Sequence, residues 1–536
     1  MTFEEYISGM STRDLVAQLL CPAIRATYKE DSDPREYFEN VFTDPTIRPG
    51  SVFIFPSKRE DIKKMTKMFN QYLGRPALFC TDMETSPTTI REATSFGSAM
   101  VISAADNIDD AYTCGESCAN EGLECGLQWA LGPVADMCFS PRNMPTRSWG
   151  NEPDRVTKFV TSFSDGMEEN GMMSTIKHFP SYCTFEGDSH LHASINDMPM
   201  DEWMKTQGKV WQNVIDHGVN AIMPGHICFP AAEPDGKLIP ATLSYNVITK
   251  LLREKMGFDG LVVTDGFNMG GLMPYVKPER AYVKAVQAGC DVLLFINFTS
   301  TLTEAVDILE KAVNDGELTI ERIKESVYRI WKQKKRLGLF DVDNKMYRRV
   351  SNEKRDEYAE LSKKIGKNSI SVFKNLNILP LDENKTKKVI SIDITNQERP
   401  VKNDLDPILR ANGMEVYKYG NYTENGIVSI LDLPKADAII VNFYYGPVWA
   451  GMNNLPSGKM LQRVYEYIFK PEIPVVMICH GNPAIPVLFP YVKAVVNTFG
   501  IIDLNPQALY DVLFGKSEAT GYTPMKIELR QPDIIE

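Results

Sequence analysis

The segment Lys177-His178-Phe179-Pro180, running on to Asp188-Ser189-His190, gathers side chains able to move protons and to hold hydroxyl groups. Three of the chain's six histidines, His178, His190 and His192, fall within it. Residues 173–176, just before it, form a short apolar run that reads as a buried strand. Pro180 and Gly187 mark a loop beyond the strand's end. A lysine and a histidine are thus expected at the carboxyl end of a strand, with an Asp-x-His pair in the loop that follows. Asp188 and His190 can act as one hydrogen-bonded unit, the carboxylate fixing the imidazole tautomer and raising its basicity. Taken singly, each histidine is equally consistent with an ordinary hydrogen-bonded polar group.

The elements that must position these residues are legible as an alternation. Residues 19–23, 52–55, 77–80, 127–131, 173–176, 221–223, 261–263 and 292–295 are short apolar runs that read as strands. Residues 61–72, 156–169, 201–216 and 302–313 carry helical periodicity between them. Eight strands alternating with helices predict an α/β fold, a (β/α)8 TIM-type barrel. A doubly wound open sheet is the alternative, because alternation does not itself show closure. Polar residues recur just past the strands: Asp82 after the third, Arg147 in the loop after the fourth, Lys177 and His178 after the fifth, His226 after the sixth and Asp265 after the seventh. In a barrel these positions converge on one face. Any one of them alone would pass for a helix cap or a loop hydrogen bond, Asp265 before Gly266 included.

A helix over 320–337 closes this part, and the charged segment 341–357 reads as a linker or crossing helix. Strands resume at 388–394, 438–443, 475–479 and 494–497, with helices at 404–411 and 459–469. The expected organisation is a catalytic barrel over 1–345 and a smaller αβα sandwich over 346–536, in keeping with a 536-residue chain too long for one core. A net charge of −12 argues against a nucleic-acid partner. The basic run 332–336 reads as the exposed end of a helix. Ten cysteines occur without a Cys-x-x-Cys, and Cys114, Cys118 and Cys125 lie on or near one helix, where packing explains them better than a metal. The first residues show no leader pattern and no apolar run is long enough to span a bilayer, so a cytoplasmic protein in a reducing compartment is expected.

Further motifs follow in order along the first part. Gly132-Pro133-Val134-Ala135-Asp136 leads to Thr146-Arg147-Ser148-Trp149-Gly150; then come Lys177-His178-Phe179-Pro180, Asp188-Ser189-His190 and Pro224-Gly225-His226. Pro240-Ala241-Thr242-Leu243-Ser244, Gly257-Phe258-Asp259-Gly260 and Val263-Thr264-Asp265-Gly266-Phe267 complete the series. This series resembles glycoside hydrolase family 3, most closely its β-N-acetylhexosaminidase branch. The second part is similar to that family's αβα sandwich through Asn377-Ile378-Leu379-Pro380-Leu381 and Val512-Leu513-Phe514-Gly515-Lys516. Two segments depart from the family pattern. Its Asp-Gln-Glu-Gly-Gly-Arg is Asp82-Met83-Glu84-Thr85-Ser86-Pro87 here, with Arg91 the weak substitute for the arginine. Its Gly-His-Gly is Ser181-Tyr182-Cys183.

The resemblance implies a retaining glycosidase that removes β-linked N-acetylglucosamine. Asp265 would attack the anomeric carbon, and His190, oriented by Asp188, would give and then take the proton. Asp82, Arg147, Lys177 and His178 would hold the sugar hydroxyls. No cofactor and no metal are expected, and the partner is a small carbohydrate rather than a nucleic acid or a membrane. Other readings are a β-glycoside phosphorylase, a β-glucosidase-like member, a metal-dependent hydrolase built on Asp188, His190 and His192, and a sugar-binding protein without activity.

Overall fold

The computed structural model describes residues 1–25, 46–139, 146–182, 192–272, 276–296, 301–341, 346–397, 400–422, 429–446, 455–456, 458–469 and 472–527. Eight strands build the first sheet system: β1 (Leu20–Ile24), β2 (Ser51–Ile54), β3 (Leu78–Thr81), β4 (Trp129–Ala130), β5 (Ile176–Phe179), β6 (Ala221–Pro224), β7 (Leu261–Val262) and β8 (Leu293–Phe295). One parallel run is ordered β8-β1-β2-β3-β4 and another β5-β6-β7. Parallel bridges Trp129–Met173 and Val134–Lys177 join β4 to the β5 segment, and Val263–Val292 joins β7 to β8. The sheet therefore closes on itself. This is a (β/α)8 barrel, and closure removes the open doubly wound alternative.

Alternation along the strands explains why the interior is filled. Cys21, Phe53, Leu78, Cys80, Trp129, Met173, Ala221, Met223, Leu261, Val263, Val292 and Leu294 form one buried cluster drawn from seven of the strands and, through Met173, from the segment leading into β5. Around them run helices with one apolar stripe. In Ile320–Arg336, the Thr319 side chain accepts from the Arg322 amide as N-cap, and Lys334, Lys335 and Arg336 sit in the last turn, where the helix dipole favours them. Ile323, Val327, Ile330 and Trp331 supply the buried stripe. The expectation of an exposed basic end fails at Lys334, which is 1 % exposed. Its ammonium donates to the Tyr6 hydroxyl at 3.0 Å and the Gln18 side chain at 3.3 Å, which lets a lysine replace an apolar residue on that stripe.

The second sheet contains β9 (Ser371–Asn375), β10 (Lys388–Thr395), β11 (Glu415–Tyr422), β12 (Ala438–Tyr445), β13 (Val475–Gly481) and β14 (Ala494–Asn497). Their order is β9-β14-β13-β12-β10-β11, with only the β9–β14 pair antiparallel. Val389, Ile440, Ile478 and Val496 pack on one face with residues of helices Leu405–Ala411 and Pro506–Leu513. Ile390, Val441, Met477 and Val495 pack on the other with Met460, Val464 and Tyr467 of helix Lys459–Ile468. Helices on both faces make this an αβα sandwich. Contacts divide the chain into one unit of Met1–Ser95, Ala111–Asp136 and Thr157–Asp356 and another of Phe96–Asp110, Met137–Val156 and Glu357–Glu536. No helix among the described residues is long and apolar enough to cross a membrane.

Candidate active site

Side-chain parity delivers the chemistry to the barrel's upper end. The inward series Leu78, Cys80 continues to Asp82; Met173, Thr175 continues to Lys177; and Leu261, Val263 continues to Asp265. Lys177 and His178 do not follow the strand, as the apolar run suggested, but lie inside β5. They are 3 % and 4 % exposed. A buried ammonium needs counter-charge, and Nζ of Lys177 lies 2.8 Å from both Asp82 Oδ1 and Glu84 Oε1. Those two carboxylates explain how a lysine can continue a buried strand. The Asp82 side chain keeps 56 % of its surface exposed and so can still meet a ligand.

His178 is fixed from behind. Its Nδ1 lies 2.7 Å from Oδ2 of Asp136, and its own amide donates to the same oxygen at 3.2 Å. A carboxylate only accepts, so Nδ1 carries the hydrogen and Nε2 is left to face a ligand. The other oxygen of Asp136 accepts from the Tyr182 amide at 3.0 Å. The chain is clamped at its exit from β5 by further bonds: Trp203 Nε1 to the Pro180 carbonyl, Trp211 Nε1 to Ser181 Oγ, and Asn196 Nδ2 to the Ser181 carbonyl. Ser181 has φ +88°, a region that favours glycine. These bonds are what hold a serine there, at the first position of the departure from Gly-His-Gly.

Past the next two strands stand His226 and Asp265, and His226 is completely buried. Its Nε2 lies 2.9 Å from the Gly266 carbonyl and its Nδ1 3.0 Å from Thr242 Oγ. Asp265 is half-buried, and its Oδ1 accepts from the Gly266 amide at 2.7 Å. Burial alone would raise its carboxyl, but His226, His178, the Gly266 amide and Lys177 together outweigh that and hold it below the ordinary carboxylate value. Asp291 is depressed too, against its own burial, but by Arg253, Arg329 and Arg322, and no part of it is exposed. It lies just before β8, at the end of the barrel that serves stability. Of the two, Asp265 has the surroundings of a reacting group. Among the described residues no group of three or more His, Cys, Asp or Glu side chains could hold a metal ion.

The profile described as "Glycosyl hydrolase family 3 N terminal domain" matches residues 11–332, more than half of the chain. The chain belongs to glycoside hydrolase family 3. This family 3 glycosidase is 27% identical over 547 residues to a β-N-acetylglucosaminidase/β-glucosidase of Cellulomonas fimi, covering 97% of this chain and 94% of that protein. Among solved structures it is similar to a β-glucoside phosphorylase at TM-score 0.86 and 24% identity, with 98% and 96% of the two chains covered. It is also similar to a family 3 β-N-acetylglucosaminidase from Paenibacillus sp. FPU-7 at TM-score 0.84 and 24% identity, with 98% and 100% covered.

Within the first unit the glycosidase thus brings together Asp82, Lys177, His178 and Asp265. Arg147 belongs to the second unit and is half-buried. Asp188 and His190 lie outside the described residues, and His192, next to them, is exposed. Sequence reasoning did not single out Glu84, Asp136 or Thr242. Asp136 stands past β4, where the other strand-end residues were found, so the same signal could have reached it.

Proposed function

We propose that this family 3 enzyme is a retaining hydrolase of β-linked N-acetylglucosaminides. The observation that carries the reading is Asp265: a partly exposed carboxylate just past a barrel strand, held below the ordinary carboxylate value by His226, His178, the Gly266 amide and Lys177 against its burial. An ionised carboxylate is what attack on an anomeric carbon requires. Asp265 forms the covalent bond to that carbon while His190, paired with Asp188, passes a proton to the departing oxygen. Water then gives its proton back to His190 and releases the sugar with retained configuration. Asp82, Lys177, His178 and Arg147 bind the sugar hydroxyls. The preference for the N-acetyl sugar rests on similarity to proteins bearing hexosaminidase and N-acetylglucosaminidase names. We also keep residues 1–345 as the catalytic domain and 346–536 as the second domain. A cytoplasmic location suits the free thiols of the described cysteines.

Nitrophenyl glycosides of β-GlcNAc, β-glucose and β-xylose, assayed side by side with and without inorganic phosphate, test this function. Fastest turnover of the GlcNAc substrate, with no gain from phosphate, is expected. A rate that depends on phosphate and yields a sugar 1-phosphate contradicts hydrolysis and makes the enzyme a phosphorylase. In that case the imidazole would serve as the base, because a neutral base does not repel an incoming phosphate as a carboxylate would. His190→Ala should slow poor leaving groups far more than nitrophenolate, and equal losses would remove His190 as the acid.

A further inference from the structure

We propose that His226 is the positioning residue for the nucleophile, fixing the glycine that follows Asp265 and facing its carboxylate with a basic ring. The inference rests on the reading of Asp265 as nucleophile.

Gly266 directly follows Asp265. A Cβ built there would lie 2.4 Å from Cδ1 and 2.8 Å from Cγ1 of Ile296, so any larger residue would have to push that side chain aside. Glycine brings conformational freedom directly behind the residue that must attack, with a penalty in order that something else has to offset. Its amide donates to Asp265 Oδ1, so any rotation of Gly266 carries the carboxylate with it. The Gly266 carbonyl is held by two donors: the Met269 amide of the local turn, at 3.1 Å, and the imidazole of His226, at 2.9 Å. A carbonyl only accepts, so Nε2 of His226 carries a hydrogen.

His226 is itself immobilised. Its Nδ1 faces Thr242 Oγ at 3.0 Å, and that hydroxyl has a second acceptor in the Gly225 carbonyl at 3.3 Å. When Thr242 donates to Gly225, Nδ1 can donate to Thr242, and the ring can take up a second proton without moving. The groups acting on the Asp265 carboxylate are then His226 from the segment past β6, His178 and Lys177 from β5, and its own neighbour's amide. His178 and Lys177 already have carboxylate partners in Asp136, Asp82 and Glu84. The bonds of His226 to Thr242 and to the Gly266 carbonyl keep its ring beside Asp265.

Two substitutions separate positioning from mere packing. His226→Gln keeps an N–H able to reach the Gly266 carbonyl but cannot be charged; His226→Ala removes both. With nitrophenyl β-GlcNAc, His226→Ala should lower kcat by about 100-fold while KM stays within about threefold, the pattern of a displaced nucleophile rather than a lost binding contact. His226→Gln should recover at least about tenfold of that loss. In both variants the acid limb of kcat/KM should move up by about one pH unit, because a positive neighbour of the carboxylate is gone. Equal losses in Gln and Ala, a change confined to KM, or an unmoved acid limb overturns the inference. Asp265→Asn is measured alongside. If that variant keeps wild-type turnover, the nucleophile assignment has failed; if it is inactive while the His226 variants behave like wild type, only the positioning role has.

Discussion

Nδ1 of His178 lies 2.7 Å from Oδ2 of Asp136, a fully buried pair that ties β5 to the segment following β4. The same carboxylate holds the Tyr182 amide, so one side chain orients a candidate sugar-binding imidazole and fixes the main chain just past β5.

Asp136→Asn would present an N–H to groups that themselves donate. The variant is expected to lose about 1–3 kcal/mol of stability, the usual cost of leaving buried polar groups unmatched. It should also lose on the order of 100-fold in kcat/KM through misplacement. Thermal melts and aryl-glycoside kinetics check the two together. Wild-type kinetics in a folded variant would show that this pair is a packing device only.

The depressed carboxyl of Asp265 sets the acid side of the pH profile. Activity requires the ionised form, so the acid limb of kcat/KM should lie below the ordinary aspartate value of about 3.9. The sign for stability is the same. A carboxyl depressed in the fold contributes stability above its unfolded value, and that contribution disappears as pH falls through the folded value. An acid limb near pH 5 or above would place the essential base elsewhere.

The sugar-binding assignments predict effects that differ in kind. Lys177→Ala removes an ammonium shared by two carboxylates, leaving Asp82 and Glu84 to repel each other at 22 % exposure or more. It should raise KM and lower kcat together, by on the order of 100-fold in kcat/KM. Arg147→Ala is expected to act mainly on KM. If kinetics are unchanged in both, substrate binds somewhere other than this end of the barrel.

Burial pushes the Lys334 ammonium down to about 7, with Arg75 adding to the effect. An unfolded lysine binds its proton up to about pH 10.4. The fold therefore carries the full penalty at and below pH 7, and stability should rise as pH climbs from 7 toward 10. Lys334→Met leaves Tyr6 and Gln18 bonded to each other. It should melt several degrees above wild type at pH 7, with the gap closing toward pH 10. A gap independent of pH would mean that the lysine keeps its ordinary proton affinity in the fold.

How much of this could be read in advance depends on how local the cause is. The eight barrel strands were legible because each is a short apolar run buried on both faces. Closure was not, because it depends on pairings such as Val263 with Val292 that lie far apart in sequence. The apolar run of the fifth strand stops at residue 176, and nothing local to Lys177 and His178 announces the partners Asp82, Glu84 and Asp136 that let the strand continue. Both outer strands of the second sheet, β9 and β11, also escaped notice. Ser371–Asn375 and Glu415–Tyr422 lie at the sheet's edges and mix polar with apolar residues, so neither shows a continuous apolar run. The role of His226 was hidden for a similar reason: its partner is a main-chain carbonyl forty residues away.

The central claim is that Asp265 becomes covalently bonded to the sugar. An activated 2-deoxy-2-fluoro glycoside slows release of that intermediate enough for peptide mapping. One sugar attached to the peptide containing Asp265, and none in Asp265→Asn, is the expected result. A sugar found on another carboxylate, or wild-type turnover in Asp265→Asn, would contradict the account.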